Sequence, residues 1–492
     1  MLLTLAFSML VPAQQPAPTV PARSPAPQVA LAGRQGARDS TPYARSLEES
    51  GRGNVRAEEL ESSAGRLTAS GTIGGLQVRT LSGGPGSGSQ ALLGAGGSVD
   101  PLPTLYEVTI PVAAASEAFL FQETAAAGPR PLLVVFHKYG VGHYDALAHT
   151  SFFQEARRRG WYCLAPFGGG QRHFSNLRSQ QHTEAALAWA RSNFAVDPTR
   201  VYAVGFSMGG GAAMNFAARH LDPRETMFAA VFNESGILSH EDTYPQLEPA
   251  IVALYDSFFG FGGSAQPFPM QRSSVFSFDP LSLAVDLDTD LGRNLIHLGT
   301  HSTRTTGDVP YLITQNELFR AHLLARGASP TRHVLSVINY PGHSWDAVSE
   351  RAVCDWLRTF KLSLPDAAET LADRDARYFH FDIHQDVSGS FTPFRWSVDS
   401  GLNHVQVLDT ANLASVAIDL ASAGLSASAA LSIEVGTADG LPDQVQIQGY
   451  SSAPSFVLRD GILSTAWSFD APNARVLLAE SDGALHTWVV NP

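Results

Sequence analysis

The 492-residue sequence predicts an α/β domain, with a mostly parallel sheet covered by helices on both faces, followed by a smaller all-β domain. Three observations carry this expectation. From about residue 105 to 363, short apolar runs rich in β-branched residues alternate with helical segments. A G-x-S-x-G pentapeptide, Gly205-Phe206-Ser207-Met208-Gly209, stands between the run Arg200–Val204 and the helix formers Gly211–Arg219. Beyond about residue 378 the apolar period falls to two.

Composition narrows the function classes. A hydrophobic content of 44% with 16% charged residues is ordinary for globular protein. The net charge of −13, from 33 basic and 46 acidic residues, argues against nucleic acid or an anionic membrane as partner. Met1–Leu10 is short and apolar, and Val11-Pro12-Ala13 offers a cleavage site, so residues 1–13 read as a signal peptide of a secreted or periplasmic protein, although no Lys or Arg precedes the run. No other stretch approaches the ~20 apolar residues of a membrane span. Cys163 falls in an expected strand and Cys354 in an expected helix; a disulfide is open to them, two buried thiols are the commoner outcome, and neither suits catalysis.

In chain order, residues 14–101 are loaded with Pro, Ala, Gly and Ser and cannot bury enough apolar area to offset chain entropy, so they read as a disordered linker with one short ordered piece near Leu76–Leu81. A domain spans 102–363. It opens with the alternating strand Leu105–Val112 and the buried-looking strand Pro131–Phe136, which leads into His137-Lys138-Tyr139-Gly140. A helix over about Ala146–Arg159 stops at Gly160, the strand Trp161–Pro166 follows, and Thr183–Asn193 reads as helix before the pentapeptide strand. After the strand Phe228–Asn233, residues 236–290 break the rhythm with aromatic and Gly/Pro clusters, which suits either a lid over the strand ends or a surface insertion. Alternation resumes with Asn294–Gly299 as strand, Thr314–Arg326 as helix, and the strand His333–Asn339 running into Gly342-His343-Ser344-Trp345. A helix over Asp346–Phe360 closes the domain. Residues 364–377 read as a polar hinge, and 378–492 as a β-sandwich.

A nucleophilic serine on a strand-to-helix turn needs glycine neighbours for close packing, and its Oγ then stands at a helix N-terminus that favours developing negative charge. The order His137-x-x-Gly140, Asp197-Pro198-x-Arg200-Val201-Tyr202-x-x-Gly205-Phe206-Ser207-Met208-Gly209-Gly210, then an acid, then Gly342-His343-Ser344-Trp345 resembles the α/β-hydrolases. The polyhydroxybutyrate-depolymerase and feruloyl-esterase branch is nearest, and prolyl-oligopeptidase-like and dienelactone-hydrolase-like enzymes are similar at the same motifs. The resemblance covers about residues 105–362. It implies an α/β-hydrolase fold, a serine esterase with no cofactor and no metal, Ser207 as nucleophile and His343 as its general base.

For the acid, such families place Asp in a Gly-x-x-Asp-x-x-Val-Pro pattern, whereas Asp308 directly precedes Val309-Pro310; either the loop has lengthened or the acid has moved. Asp308 is the carboxylate between that strand and the next helix, and it would fix the His343 tautomer. The oxyanion hole would be the backbone N–H groups of Met208 and Tyr139. Lys138 stands where the family usually has glycine, its side chain expected in solvent. Phe258, Phe259, Phe261 and Phe268, with Trp345, are candidate substrate contacts and suggest an aromatic or polymeric ester. His380, Asp382 and His384 would share one face if Tyr378–His384 is a strand, which suits either a metal site or, more simply, a solvated face. Two other readings stand beside the esterase: a prolyl-oligopeptidase-like peptidase, whose usual N-terminal propeller residues 14–101 are too few and too polar to form, and a non-catalytic binding protein on a degenerate hydrolase fold. The oligomeric state is not legible.

Overall fold

In the computed structural model the described residues are 66–73, 76–82, 104–260, 267–479 and 482–492. The expected signal peptide at 1–13, most of the expected linker at 14–101 and Phe261 lie outside them.

Strands form where the sequence is apolar and β-branched. In chain order they are β1 (Arg66–Ile73), β2 (Leu76–Ser82), β3 (Leu105–Val112), β4 (Ala115–Gln122), β5 (Arg130–Phe136), β6 (Tyr162–Pro166), β7 (Val196–Phe206) and β8 (Ala230–Glu234). A short ribbon of β9 (Ser277–Phe278) and β10 (Val285–Asp286) is followed by β11 (Gly299–Thr305) and β12 (His333–Ile338). Ten of these make one sheet, in the order β1-β2-β3-β4-β6-β5-β7-β8-β11-β12. From β6 to β12 every neighbour is parallel, and the strands on the other side are antiparallel. Residues Pro131–Phe136 of β5 are buried throughout, as a central strand covered on both faces requires. The first helices are α1 (Asp145–His149), α2 (Phe152–Arg159), α3 (Leu177–Asn193) and α4 (Met208–Arg219). The excursion contributes α5 (His240–Thr243), α6 (Pro249–Phe259) and α7 (Pro267–Gln271), and α8 (Pro310–Ala325) and α9 (Glu350–Leu357) complete the layers. This is the α/β-hydrolase arrangement, with the apolar core divided between the two sheet faces.

Three local expectations change. The β1–β2 hairpin interrupts the linker and pairs with β3, because the alternating Leu76–Leu81 segment finds an unpaired sheet edge. The expected helix over 146–159 is two, broken at Thr150, which has extended backbone (φ −130°, ψ 165°). The strand expected at Asn294–Gly299 begins only at Gly299: Leu291–Leu295 is a 3₁₀ turn, and the polar run Gly299–Thr305 is β11 itself. Its hydroxyls make burial possible, since Thr300 bonds His333 at 2.8 Å and Ser302 accepts from Asn233 at 3.1 Å.

The C-terminal domain is a sandwich. Its strands are β13 (Ala367–Ala372), β14 (Ala376–Tyr378), β15 (Phe381–Gln385), β16 (Thr392–Asp399), β17 (His404–Thr410), β18 (Leu413–Asp419) and β19 (Leu431–Thr437). There follow β20 (Gln444–Gln448), β21 (Phe456–Arg459), β22 (Ile462–Leu463), β23 (Trp467–Asp470), β24 (Arg475–Ala479) and β25 (His486–Asn491). Seven strands in the order β13-β16-β17-β19-β25-β21-β22 share one core with six in the order β14-β15-β18-β20-β24-β23. Inward residues alternate along each, as Val405 and Val407 do against Val416 and Ile418.

The segment expected to be a hinge contains β13 and most of β14, joined by a turn whose first residue, Asp373, is buried. Polar residues there face partners rather than solvent: Asp373 accepts from Arg219 Nε at 2.8 Å and from Arg272 Nη2 at 2.8 Å. The expected face of His380, Asp382 and His384 does not form either, because Phe379 takes a left-handed φ of 57° and ends β14 before His380. His384 lies 3.5 Å from Asp375, Asp382 lies 3.6 Å from Arg377, and no cluster of His, Cys, Asp and Glu among the described residues is placed to hold a metal ion. Cys163 and Cys354 are both free and buried. No helix among the described residues is long and apolar enough to cross a membrane.

Candidate active site

Ser207 caps β7 and precedes α4 with φ 56° and ψ −122°, a backbone state that L-residues rarely hold and that the surrounding packing must enforce. The packing is glycine-dependent. A Cβ on Gly205 would stand 2.1 Å from the Gly209 carbonyl oxygen, and one on Gly209 would stand 2.4 Å from that of Phe136. The Ser207 N–H donates to the Glu234 carbonyl at 2.9 Å, tying the elbow to the end of β8. Ser207 remains 7% exposed at this turn, and Met208 is the first residue of α4, where helix N–H groups lack partners within the helix.

His343 lies in the loop after β12, with its ring 4.4 Å from that of Phe206, the residue before Ser207. Its Nδ1 is 2.7 Å from Asp308 Oδ1. Since a carboxylate only accepts, the ring donates there and Nε2 carries the lone pair. The second Asp308 oxygen accepts from the Ser235 hydroxyl, and the Val309 N–H donates to Oδ1 at 2.8 Å. Burial raises the Asp308 pKa, but the bond and charge of His343, the Ser235 hydroxyl and the Val309 amide outweigh it, so the carboxyl titrates below its ordinary value. With Gly299–Thr305 forming β11, Asp308 sits on the tight turn directly after that strand.

The loop after β5 is folded back on the neighbouring one. The His137 ring nitrogens lie 2.8 Å from the Lys138 carbonyl oxygen and 3.0 Å from that of Phe167, and Gly140 N–H donates to Gln171 at 2.9 Å. Tyr139 rests between the Phe174 ring, at 5.3 Å, and the Arg172 guanidinium, at 5.3 Å. Lys138 does not simply point to solvent. Its ammonium lies 3.9 Å from the buried Asp145, which also accepts from His149 at 2.9 Å and from the Trp345 indole at 3.1 Å. Asp145 therefore joins the Tyr139 loop to the loop that carries His343; burial raises its pKa, and Lys138, His149 and Trp345 pull it below the ordinary value.

The proposed aromatic contacts separate. Phe258 is 36% exposed on α6. Phe259, 1% exposed, is closed in by Tyr255 and His240, and the half-buried Phe268 packs with its ring 4.9 Å from that of Phe391 of the sandwich. Trp345 is buried against Phe152 and Phe206 and supports the His343 loop from below. The excursion packs on the start of the elbow helix, since Tyr255, Phe259 and Met270 share a cluster with Met208 and Phe174. Ser235, Phe206 and Asp145 are site residues that sequence reasoning missed. Ser235, with φ 48°, follows β8 without any periodic signal, and Asp145 reads as an ordinary helix-start residue.

A family model described as a putative esterase matches residues 120–346. No curated protein matches the sequence. Among solved structures, an S-formylglutathione hydrolase from Agrobacterium tumefaciens is 13% identical with a TM-score of 0.39, over 53% of this chain and 97% of that one. A ferulic acid esterase is 18% identical with a TM-score of 0.38, over 53% and 98%. An acetyl xylan esterase from Paenibacillus sp. R4 is 13% identical with a TM-score of 0.40, over 62% and 100%. The family match lies within the α/β domain, spans Ser207, Asp308 and His343, and supports carboxylic ester hydrolysis as the chemistry of that domain.

Proposed function

We propose that the chain hydrolyses esters through an acyl-enzyme on Ser207, with His343 and Asp308 as its partners. As Ser207 Oγ attacks the ester carbonyl, His343 Nε2 takes its proton, and Asp308 holds the Nδ1–H tautomer and stabilises the imidazolium. The N–H groups of Met208 and Tyr139 donate to the developing oxyanion. Collapse expels the alcohol, which leaves with the proton from His343. Water, deprotonated by the same nitrogen, then releases the acid and restores Ser207. The observation that carries this reading is the 2.7 Å His343–Asp308 bond, set beside a serine held at φ 56°. An aromatic or polymeric substrate is the finer expectation, and of the named phenylalanines it rests on the exposed Phe258.

Intact-protein mass spectrometry after fluorophosphonate treatment tests it. Wild type gains one adduct mapping to Ser207, Ser207→Ala gains none, and Asp308→Asn labels about 10³- to 10⁴-fold more slowly while still folded. Adducts elsewhere, or unchanged labelling of Asp308→Asn, would remove the assignment.

A further inference from the structure

Beside the Tyr139 loop a cleft of about 460 Å³ opens, lined by Phe167, the run Gly168–His173, Asn176, Arg178 and Phe258. Two features of its wall are unusual for so acidic a chain. Arg172 and Arg178 are both exposed, and neither forms an ion pair with a carboxylate among the described residues, although most arginines of this fold do. Arg172 is held in place by the face of the Tyr139 ring at 5.3 Å, so one charge is oriented from the loop assigned to the oxyanion.

The wall is also rigid. Gly168 and Gly169 take φ of 62° and 71°, and their N–H groups donate to the buried Glu117 carboxylate at 2.8 and 3.0 Å. Glu117 further accepts from Phe167 N–H at 2.7 Å and faces His182 Nδ1 at 3.0 Å. The carboxylate behind this loop is thus consumed by the loop's own amides and a histidine, and the arginines in front keep their charge for a ligand. The Gly140–Gln171 bond couples the cleft wall directly to the Tyr139 loop.

From this cleft we infer the substrate class: an ester that carries a carboxylate, with the carboxylate held by Arg172 and Arg178 and the adjoining apolar part on Phe258. The planar fork of a guanidinium matches a carboxylate geometrically, both arginines line this one cleft, and Phe258 supplies an apolar face there. The inference rests on the esterase reading above and adds to it a side-chain discriminator that the reaction itself does not need.

The experiment compares matched substrates differing in one charge. 4-Nitrophenyl butyrate against 4-nitrophenyl hydrogen succinate places the charge on the acyl side, and phenyl acetate against 4-carboxyphenyl acetate places it on the alcohol side. Wild type is expected to favour the charged member of one pair in kcat/KM, and the Arg172→Gln/Arg178→Gln double variant to lower that charged-to-neutral ratio about 10-fold or more. Arg351→Gln, on α9, controls for net charge and should leave the ratio alone. A wild-type ratio below one in both pairs, or a ratio the double variant does not move, overturns the inference. A second readout needs no turnover: at matched ionic strength, succinate should raise the melting temperature of wild type more than acetate does, and this difference should vanish in the double variant. Loss of all ester turnover with the succinate effect intact would overturn the esterase reading and keep the anion site; turnover without any succinate effect or charged-ester preference would do the reverse.

Discussion

At the scale of single residues, two of the site's buried carboxyls, Asp308 and Glu234, have opposite electrostatics. Asp308 is satisfied by His343, Ser235 and Val309 and titrates low. Glu234, whose carbonyl oxygen accepts the Ser207 N–H, is fully buried, and neither carboxyl oxygen has a hydrogen-bond partner among the described residues. Burial first, then the charges of Glu350, Asp308 and Asp346, push its pKa well above the ordinary 4.5. A group raised on folding binds its proton more tightly in the native state. Its contribution is complete below about pH 4.5 and is lost as pH rises toward the folded value, at about 1.4 kcal/mol per pH unit in that window. Glu234→Gln should therefore flatten the fall of stability above about pH 4.5 relative to wild type, as read by urea melts from pH 4 to 8. Parallel pH profiles for the two proteins would show that Glu234 ionises freely. The contrast was illegible in the sequence, which offers Asn233-Glu234-Ser235 as an undistinguished strand end, because burial depends on where β8 stops.

At the scale of elements, the strand-elbow-helix unit was the most legible part, for its glycines are dictated by contacts that any such turn must make. Ser207 and His343 were readable for the same reason: each follows a recognisable strand. The register of β11 was not, since the apolar Leu295-Ile296 pair looked more strand-like than Thr300–Thr305, where the hydroxyls of Thr300, Ser302 and Thr305 bury by bonding His333, Asn233 and the Gly342 carbonyl. The elbow invites a sharp test. In Gly209→Ala the new Cβ would meet the carbonyl oxygens of Phe136 and His137, at 2.4 and 2.5 Å, and both are backbone atoms leading into the Tyr139 loop. The displacement falls on a proposed oxyanion donor, so kcat should drop by about 10²-fold or more, as loss of one such donor does. The melting temperature should fall as well. A variant with full kcat would show that the loop yields without consequence for turnover.

At the scale of the whole molecule, the catalytic domain and the sandwich are joined by buried polar chemistry rather than by a flexible tether. Asn294 donates to the carbonyl oxygens of Ala218 and Leu371 at 2.8 and 2.9 Å and accepts from Leu371 N–H at 2.9 Å, so the catalytic domain pairs with β13 through one side chain. Phe379 N–H donates across the boundary to Leu221 at 2.8 Å, and Leu221 and Met227 belong to the sandwich core. At the centre, the buried Asp373 is bonded by Arg219, Arg272 and the Tyr378 hydroxyl, and Arg374 reaches back to Glu184 at 2.9 Å. Composition made residues 364–377 look like a hinge because Asp373 and Arg374 are solvent residues unless a partner waits, and those partners come from positions far away in sequence.

The consequence of that cluster can be measured. Asp373→Asn leaves Arg219, itself fully buried, facing no carboxylate, and should cost about 3–5 kcal/mol. Arg272→Met should cost much less, because Arg219 continues to pair with Asp373. The pH dependence has a definite sign. Burial opposes ionisation of Asp373, but Arg219, Arg272 and Arg374 override it and hold the carboxyl well below its ordinary range; Glu184 is likewise drawn down to about 2, against burial, by His220 and Arg374. Groups lowered on folding stabilise above their unfolded values, near pH 4, and lose that contribution as pH falls through the folded ones. Wild type should thus lose its interdomain coupling on acidification below about pH 4, and Asp373→Asn should show at neutral pH what wild type shows in acid. Calorimetry reads this as one unfolding transition for wild type at pH 7 and two for the variant, one for each domain. A single transition in Asp373→Asn, lowered no further than in Arg272→Met, would mean that the apolar contact between the cores couples the domains without the ion cluster.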